Sequence, residues 1–185
     1  DDIWRRRVKN DYLSLKLAGN SHDDILKTLG NRYRQLSRRT KQITSSDVFE
    51  TFINAYITSV EPHTNYFSPR STENFKIRMS LSLEGIGAVL QTENEYTVVR
   101  RIVAGGPAEL SQLLNAGDRI IGVGQDEDQP LVDVIGWRLD DVVDLIRGPK
   151  NTVVRLQIVP VRDGPDGSGQ IISIVRDTIN LEEQA

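Results

Sequence analysis

Apolar residues recur at helical spacing through the first sixty positions and then give way, beyond residue 83, to short alternating runs. Ile3, Val8, Tyr12, Leu15 and Leu17 fall on one face of a first predicted helix. Ser21-His22-Asp23-Asp24 supplies an N-cap and an acidic first turn for a second, whose apolar positions are Ile25, Leu29, Tyr33 and Leu36. Ser45-Ser46-Asp47 opens a third. Its stripe of Val48, Phe49, Phe52, Ile53, Tyr56, Ile57 and Val60 is wide enough to predict burial against other helices, and Pro62 ends it. Residues Glu61–Arg70 read as a loop between prolines, and Asn74–Ser80 as a short helix.

The second pattern is β. Strands are predicted over Ile86–Gln91, Tyr96–Val103, Arg119–Val123, Thr152–Pro160 and Gln170–Arg176, with the strictest alternation in Val154-Arg155-Leu156-Gln157-Ile158. Two helices interrupt them. One runs Pro107–Leu114, with proline in its first turn. The other runs Leu139–Arg147 and stops at Gly148-Pro149. Arg162–Gly169 reads as a hairpin tip and Asp126–Gln129 as an acidic turn. The prediction is an α+β chain, with a helical domain over residues 1–80 and a β-rich domain over 81–178.

Charge follows the same division. The net −3 is made of 14 Lys+Arg against 9 Asp+Glu in residues 1–80, and 9 against 17 in the remainder. Arg5-Arg6-Arg7 and Arg38-Arg39-Thr40-Lys41 are interleaved with acids and lack aromatic partners, so they read as solvated helix faces and no nucleic-acid partner is expected. With no cysteine, disulfides and thiolate metal sites are excluded. No run reaches the ~20 apolar residues of a membrane span. Asp-Asp-Ile-Trp-Arg-Arg-Arg lacks the apolar core of a signal peptide, so either the protein is cytoplasmic or a targeting segment precedes it and is removed.

The most informative chemistry lies in Leu83-Glu-Gly-Ile-Gly-Ala-Val-Leu90. Glycines on both sides of Ile86 allow a turn whose N–H groups point outward and hold an anion such as a peptide carboxylate. The strand that follows offers an edge for the rest of that peptide. In the helix from Leu139, the residues Leu139, Val142, Val143 and Ile146 share a face, with Asp140, Asp141 and Asp144 opposite. Alone, that stripe reads as core. Beside the glycine turn it also reads as the second wall of a groove. Gly85, Ile86 and Gly87 are the candidate carboxylate-binding residues. Ile86, Ala88, Val89, Leu139, Val142, Val143 and Ile146 are the candidate lining of an apolar pocket. Of Arg100 and Arg101, strand alternation lets at most one face the groove, and Trp137, ahead of the helix, reads as a packing residue between that helix and the sheet.

Other chemistries fail on spacing. His22 and His63 are isolated, so no metal site and no cofactor is expected. No Gly-x-Ser-x-Gly elbow is present, Gly-Ile-Gly is not a dinucleotide fingerprint, and Asp126-Glu127-Asp128 lacks calcium-loop spacing.

The run Ala104-Gly105-Gly106-Pro107-Ala108, followed by Ala116-Gly117-Asp118-Arg119-Ile120-Ile121-Gly122-Val123-Gly124, resembles a PDZ domain, a small partly open β-barrel capped by two helices. In it Gly117 suits a helix C-cap and Asp118 a turn or cap. Glu61-Pro62-His63-Thr64-Asn65-Tyr66-Phe67-Ser68-Pro69, Gly85-Ile86-Gly87-Ala88 and Leu145-Ile146-Arg147-Gly148-Pro149-Lys150, with the helical region ahead, resemble the C-terminal processing peptidases in their tail-specific protease branch. The resemblance implies a periplasmic serine endopeptidase whose PDZ domain captures free, apolar substrate C-termini and whose serine–lysine dyad lies in a following domain. Residues 179–185 then read as the lead-in to that domain, and the present stretch is expected to bind without cleaving. It also implies that capture repositions the PDZ domain about a hinge near Leu83 and Asn74–Ser80, and it allows an envelope adaptor as a further partner. Two other readings remain open: a non-catalytic scaffold that binds protein C-termini, and a helical half that docks an adaptor or self-associates.

Overall fold

The computed structural model describes residues 2–126, 129–164, 167 and 169–180. Parts of the expected acidic turn and hairpin tip, and residues 181–185 of the expected lead-in, lie outside them. The chain divides into two compact units, up to Tyr66 and from Phe67 onward.

The first unit holds α1 (Asp2–Leu17), α2 (His22–Lys41) and α3 (Ser45–Val60). Helix α2 starts where the sequence predicts, with the Ser21 hydroxyl accepting from the Asp24 N–H. It packs on α1, where the Tyr33 hydroxyl donates to Asp11 at 2.8 Å and the ring meets Trp4 edge-on. Helix α3 is capped one residue earlier than predicted, by Thr44 in a reciprocal box with Asp47. Along the helix Asn54 exchanges two hydrogen bonds with the backbone of Tyr66, while Phe49, nearer the cap, meets the Tyr66 ring edge-on. The burial expected of its stripe is not found. Phe52 is 70% exposed, and Val48, Phe49, Tyr56 and Val60 are exposed as well. The pattern gives the helix but not a partner for its face, and within the first unit the most extensive helix contacts are those of α1 with α2.

The second unit opens with α4 (Pro69–Ser80), which begins five residues before the prediction. Pro69 starts this helix rather than closing a loop, because a first-turn N–H has no intrahelical acceptor to lose, and Ser68 caps it. The strands are β1 (Ser82–Gly85), β2 (Ala88–Glu93), β3 (Tyr96–Ile102), β4 (Arg119–Gln125), β5 (Val132–Asp133), β6 (Val153–Val159), β7 (Gln170–Val175) and β8 (Asp177–Asn180). Between them lie α5 (Pro107–Ser111) and α6 (Leu139–Ile146). Strands β2-β3-β4-β6-β7 run antiparallel in that order, β5 adds to β4, and the sheet does not close. The short β1, β5 and β8 carry too few residues for alternation to reveal them. Strands β1 and β8 form a separate ribbon, with Leu83 opposite Ile179.

Between sheet and helices lies one core of Ile86, Val99, Ala108, Leu114, Ile120, Val123, Val134, Val142, Ile146, Val154, Leu156, Ile158, Ile172 and Ile174. The fold is α+β, with helices first and a small open β-barrel-like sheet after them. Asp118 is 1% exposed and acts as a turn cap, its carboxylate accepting from the N–H groups of Asn115 and Val161. Helix α5 ends earlier than predicted, at Ser111 with Gln112 as its C-cap, so Gly117 serves the turn after it instead.

Candidate functional site

Strand β2 is one of the two edges of the sheet, and α6 packs beside it. Between them opens an apolar cleft of about 270 Å³, lined by Leu83, Gly85, Ile86, Gly87, Ala88, Val89, Leu90, Val103, Val143, Ile146, Arg147 and Ile179. Its end is the glycine turn. The Ile86 and Gly87 carbonyls point inward, accepting from Ala108 and Val103 at 2.8 Å each, which anchors the turn to the start of α5 and the end of β3. The Ile86 and Gly87 N–H groups have no acceptor among the described residues. Gly87 sits at φ +75°, and a Cβ there would come within 3.1 Å of Gly106 Cα. Glycine is therefore demanded twice, by conformation and by the close approach of two backbones.

Most of the residues named from sequence gather here. Gly85, Ile86 and Gly87 form the turn, and Ala88, Val89, Val143 and Ile146 line the cleft. Two do not. Val142 is fully buried in the core, because its position on α6 turns it under the helix toward the sheet. Leu139, one turn earlier, stands off the cleft lining. The two uses proposed for the stripe are thus divided between its residues: Val142 serves the core, Val143 the cleft, and Ile146 both.

Neither Arg100 nor Arg101 reaches the cleft. The β2–β3 register slips between Val89 and Leu90, leaving Arg100 as an unpaired extra residue on β3, and both arginines are exposed. Strict alternation fails at such a bulge. The cation at the cleft is instead Arg147, the residue after α6, whose Nη1 donates to Asn74 Oδ1 at 3.3 Å. Sequence reading quoted Arg147 within a motif without giving it a role. The available signal was its place beside the pocket-facing Ile146. Trp137 is 42% exposed and does not fill the helix–sheet interface predicted for it.

Helix α6 is tied to α4 by Arg70, whose guanidinium lies 2.7 Å from both Asp141 and Asp144. The hydrogen bond that Arg70 donates to the Asp141 carboxylate is the main influence raising the Arg70 pKa, with burial opposing it. On the other side of Arg147, Lys150 bonds Asp177 at 2.6 Å and its N–H donates to Glu84, joining the loop after α6 to the β1–β8 ribbon. No group of three or more His, Cys, Asp or Glu able to hold a metal occurs among the described residues, and no described helix is long and apolar enough to cross a membrane. His22 sits at the start of α2 with Nδ1 2.9 Å from the Tyr12 hydroxyl, and His63 is exposed in the loop after α3.

Comparison with known proteins follows the same two-part division. Residues 1–70 match the tail-specific protease N-terminal domain, and residues 74–159 match the PDZ domain. The tail-specific protease of Haemophilus influenzae is 43% identical over 99% of this chain and 26% of its own length. The carboxy-terminal processing protease CtpA of Bacillus subtilis is 30% identical over 92% of this chain and 37% of its own length. The chain thus spans between a quarter and two fifths of these relatives. Among solved structures, the PDZ domain of the carboxy-terminal protease from Vibrio cholerae, crystallised in complex with a peptide, is 59% identical with a TM-score of 0.51. It covers 54% of this chain and 99% of its own.

Proposed function

Because this chain joins a tail-specific protease N-terminal domain to a PDZ domain, we propose that it is the substrate-recognition portion of a periplasmic serine endopeptidase that trims or degrades proteins from apolar C-termini. One observation carries the reading: two N–H groups with no acceptor among the described residues, those of Ile86 and Gly87, sit at the end of an apolar cleft beside a strand edge. A peptide adds as a strand to β2, and its last carboxylate takes the N–H groups of Gly85, Ile86 and Gly87. Arg147 adds charge at that end. The terminal side chain enters the space bounded by Ala88, Val89, Val143 and Ile146. The peptide bound to the Vibrio cholerae domain supports the carry-over. Cleavage belongs to a serine–lysine dyad outside this chain, since the lysines here sit in polar contexts unsuited to a desolvated neutral base. An envelope adaptor that delivers substrates is compatible with this role.

The test is fluorescence anisotropy with a labelled peptide ending in apolar residues and its C-terminally amidated twin. We expect the acid to bind at about micromolar affinity, roughly −8 kcal/mol, and the amide to bind far more weakly. Val143→Asp should abolish binding of the acid, by placing a carboxylate against the pocket. Equal binding of acid and amide would reject carboxylate capture and favour a scaffold acting through another surface.

A further inference from the structure

Arg176 follows β7 and is 2% exposed. Among the described residues its side chain makes five hydrogen bonds, and every acceptor is neutral. Nε donates to Ile146 O at 2.8 Å, and Nη2 to Leu145 O at 3.1 Å and Gln125 Oε1 at 2.5 Å. Nη1 donates to Thr152 Oγ1 at 2.9 Å and Val153 O at 3.2 Å. Gln125 turns its own Nε2 to Leu145 O at 2.7 Å. Burial pushes the guanidinium below its ordinary pKa, and the longer-range attraction of Asp126 opposes that only in part.

A buried cation without a carboxylate is costly unless its geometry serves something. Here it meets the end of α6. That helix has eight residues and no basic residue in its last turn, so its final carbonyls and the negative end of its dipole need a partner from elsewhere. Arg176 brings that partner from the sheet. The fit is close: a Cβ on Gly148 would lie 3.0 Å from Arg176 Cζ and Nε. The two carbonyls that Arg176 grips directly precede Arg147 in the chain, and Ile146 is itself part of the cleft lining.

We propose that Arg176 is a positioning residue for the cleft: by holding the end of α6 from β7, it fixes the distance of Val143, Ile146 and Arg147 from β2 and so selects the size of terminal side chain accepted. The inference rests on the peptide-binding reading above. It goes beyond that reading in assigning selectivity to a residue that touches no peptide. Anisotropy titrations of the 185-residue chain with peptides differing only in a terminal Ala, Val, Leu or Phe test it. Wild type is compared with Arg176→Lys, which keeps the charge but not the fork, and with Gln125→Met, which keeps the guanidinium and loosens its grip on Leu145. Loss of stability alone lowers the folded fraction and weakens every peptide by one common factor. A shifted wall instead changes the ratio of large to small terminal residues, by about threefold or more in each folded variant. Should Arg176→Lys fail to fold, Gln125→Met alone carries the comparison. Unchanged ratios in a folded variant would overturn the inference and leave peptide binding standing. No binding of any peptide by wild type would overturn both.

Discussion

At the residue scale, the site depends on backbone more than on side chains. Gly87 combines a left-handed φ with a 3.1 Å approach to Gly106, so Gly87→Ala should cost about 1–3 kcal/mol and weaken peptide binding, as read by urea unfolding and anisotropy on the same sample. The turn was legible only in company, because Gly-x-Gly before a strand is common in loops and it was the apolar stripe of Leu139–Arg147 that marked this one as one end of a groove. Arg147 was not. Its value comes from the tertiary meeting of the end of α6 with the turn at residues 85–87, which no local pattern encodes. Arg147→Met keeps much of the apolar stem and removes the charge. It should weaken the free-acid peptide by about threefold to tenfold, the scale of a partly solvated charge-assisted bond, and leave the amide unchanged. Equal weakening of both peptides would show that the residue acts through packing instead.

At the element scale, periodicity revealed the longer helices and strands, but not the 3₁₀ turn at Val161–Asp163 and not what each apolar face would meet. Helix α6 is the favourable case, where a sheet lies within reach and Val142 goes fully under it. Helix α3 is the opposite case, and its exposed face makes a direct prediction. Phe52→Ser should change the unfolding free energy by no more than about 0.5 kcal/mol, as for a surface position. A loss of several kcal/mol would mean that the stripe is buried in solution. The β1–β8 ribbon escaped the sequence reading because four-residue strands carry too little alternation, and its pairing is fixed partly by charge. The Lys150 ammonium, and after it the Thr178 N–H, hold the Asp177 carboxyl below the usual carboxylate range. A depressed folded pKa contributes stability above the unfolded value, near pH 4, and that contribution is lost as pH falls through the folded value. The amide protection factors of residues 178–180, exchange rates taken relative to the intrinsic rate at each pH, should therefore fall on acidification below about pH 4. Asp177→Asn should exchange faster at neutral pH and lose that dependence. Identical exchange profiles for the two proteins would separate the ribbon from this ion pair.

At the scale of the whole molecule, the change of periodicity and the change in sign of net charge both suggest two units divided near residue 80, whereas the compact units divide after Tyr66 and helix α4 falls in the second. What they did not tell is how unequally the units are stabilised. In the first unit Ile25 and Leu29 are the buried hydrophobic residues among those described, and much of the remaining apolar surface of its helices stays exposed. The second unit has a contiguous core from several strands and two helices, closed further by the buried bonds of Asp118 and Arg176. Buried apolar area is the main favourable term in folding, so a unit with so little of it opens at low free energy. Thermal unfolding followed by circular dichroism should then show two stages. Helical signal from residues 2–66 should decline first and with little cooperativity, and a sharp transition of the β-rich unit should follow at higher temperature. Peptide binding gives the assignment. A ligand seated between β2 and α6 should raise the second transition, in proportion to the logarithm of its concentration, and leave the first where it was. A single transition moved as a whole by peptide would mean that the two units unfold together, and the stability of the helical unit would then have to come from outside its own small core.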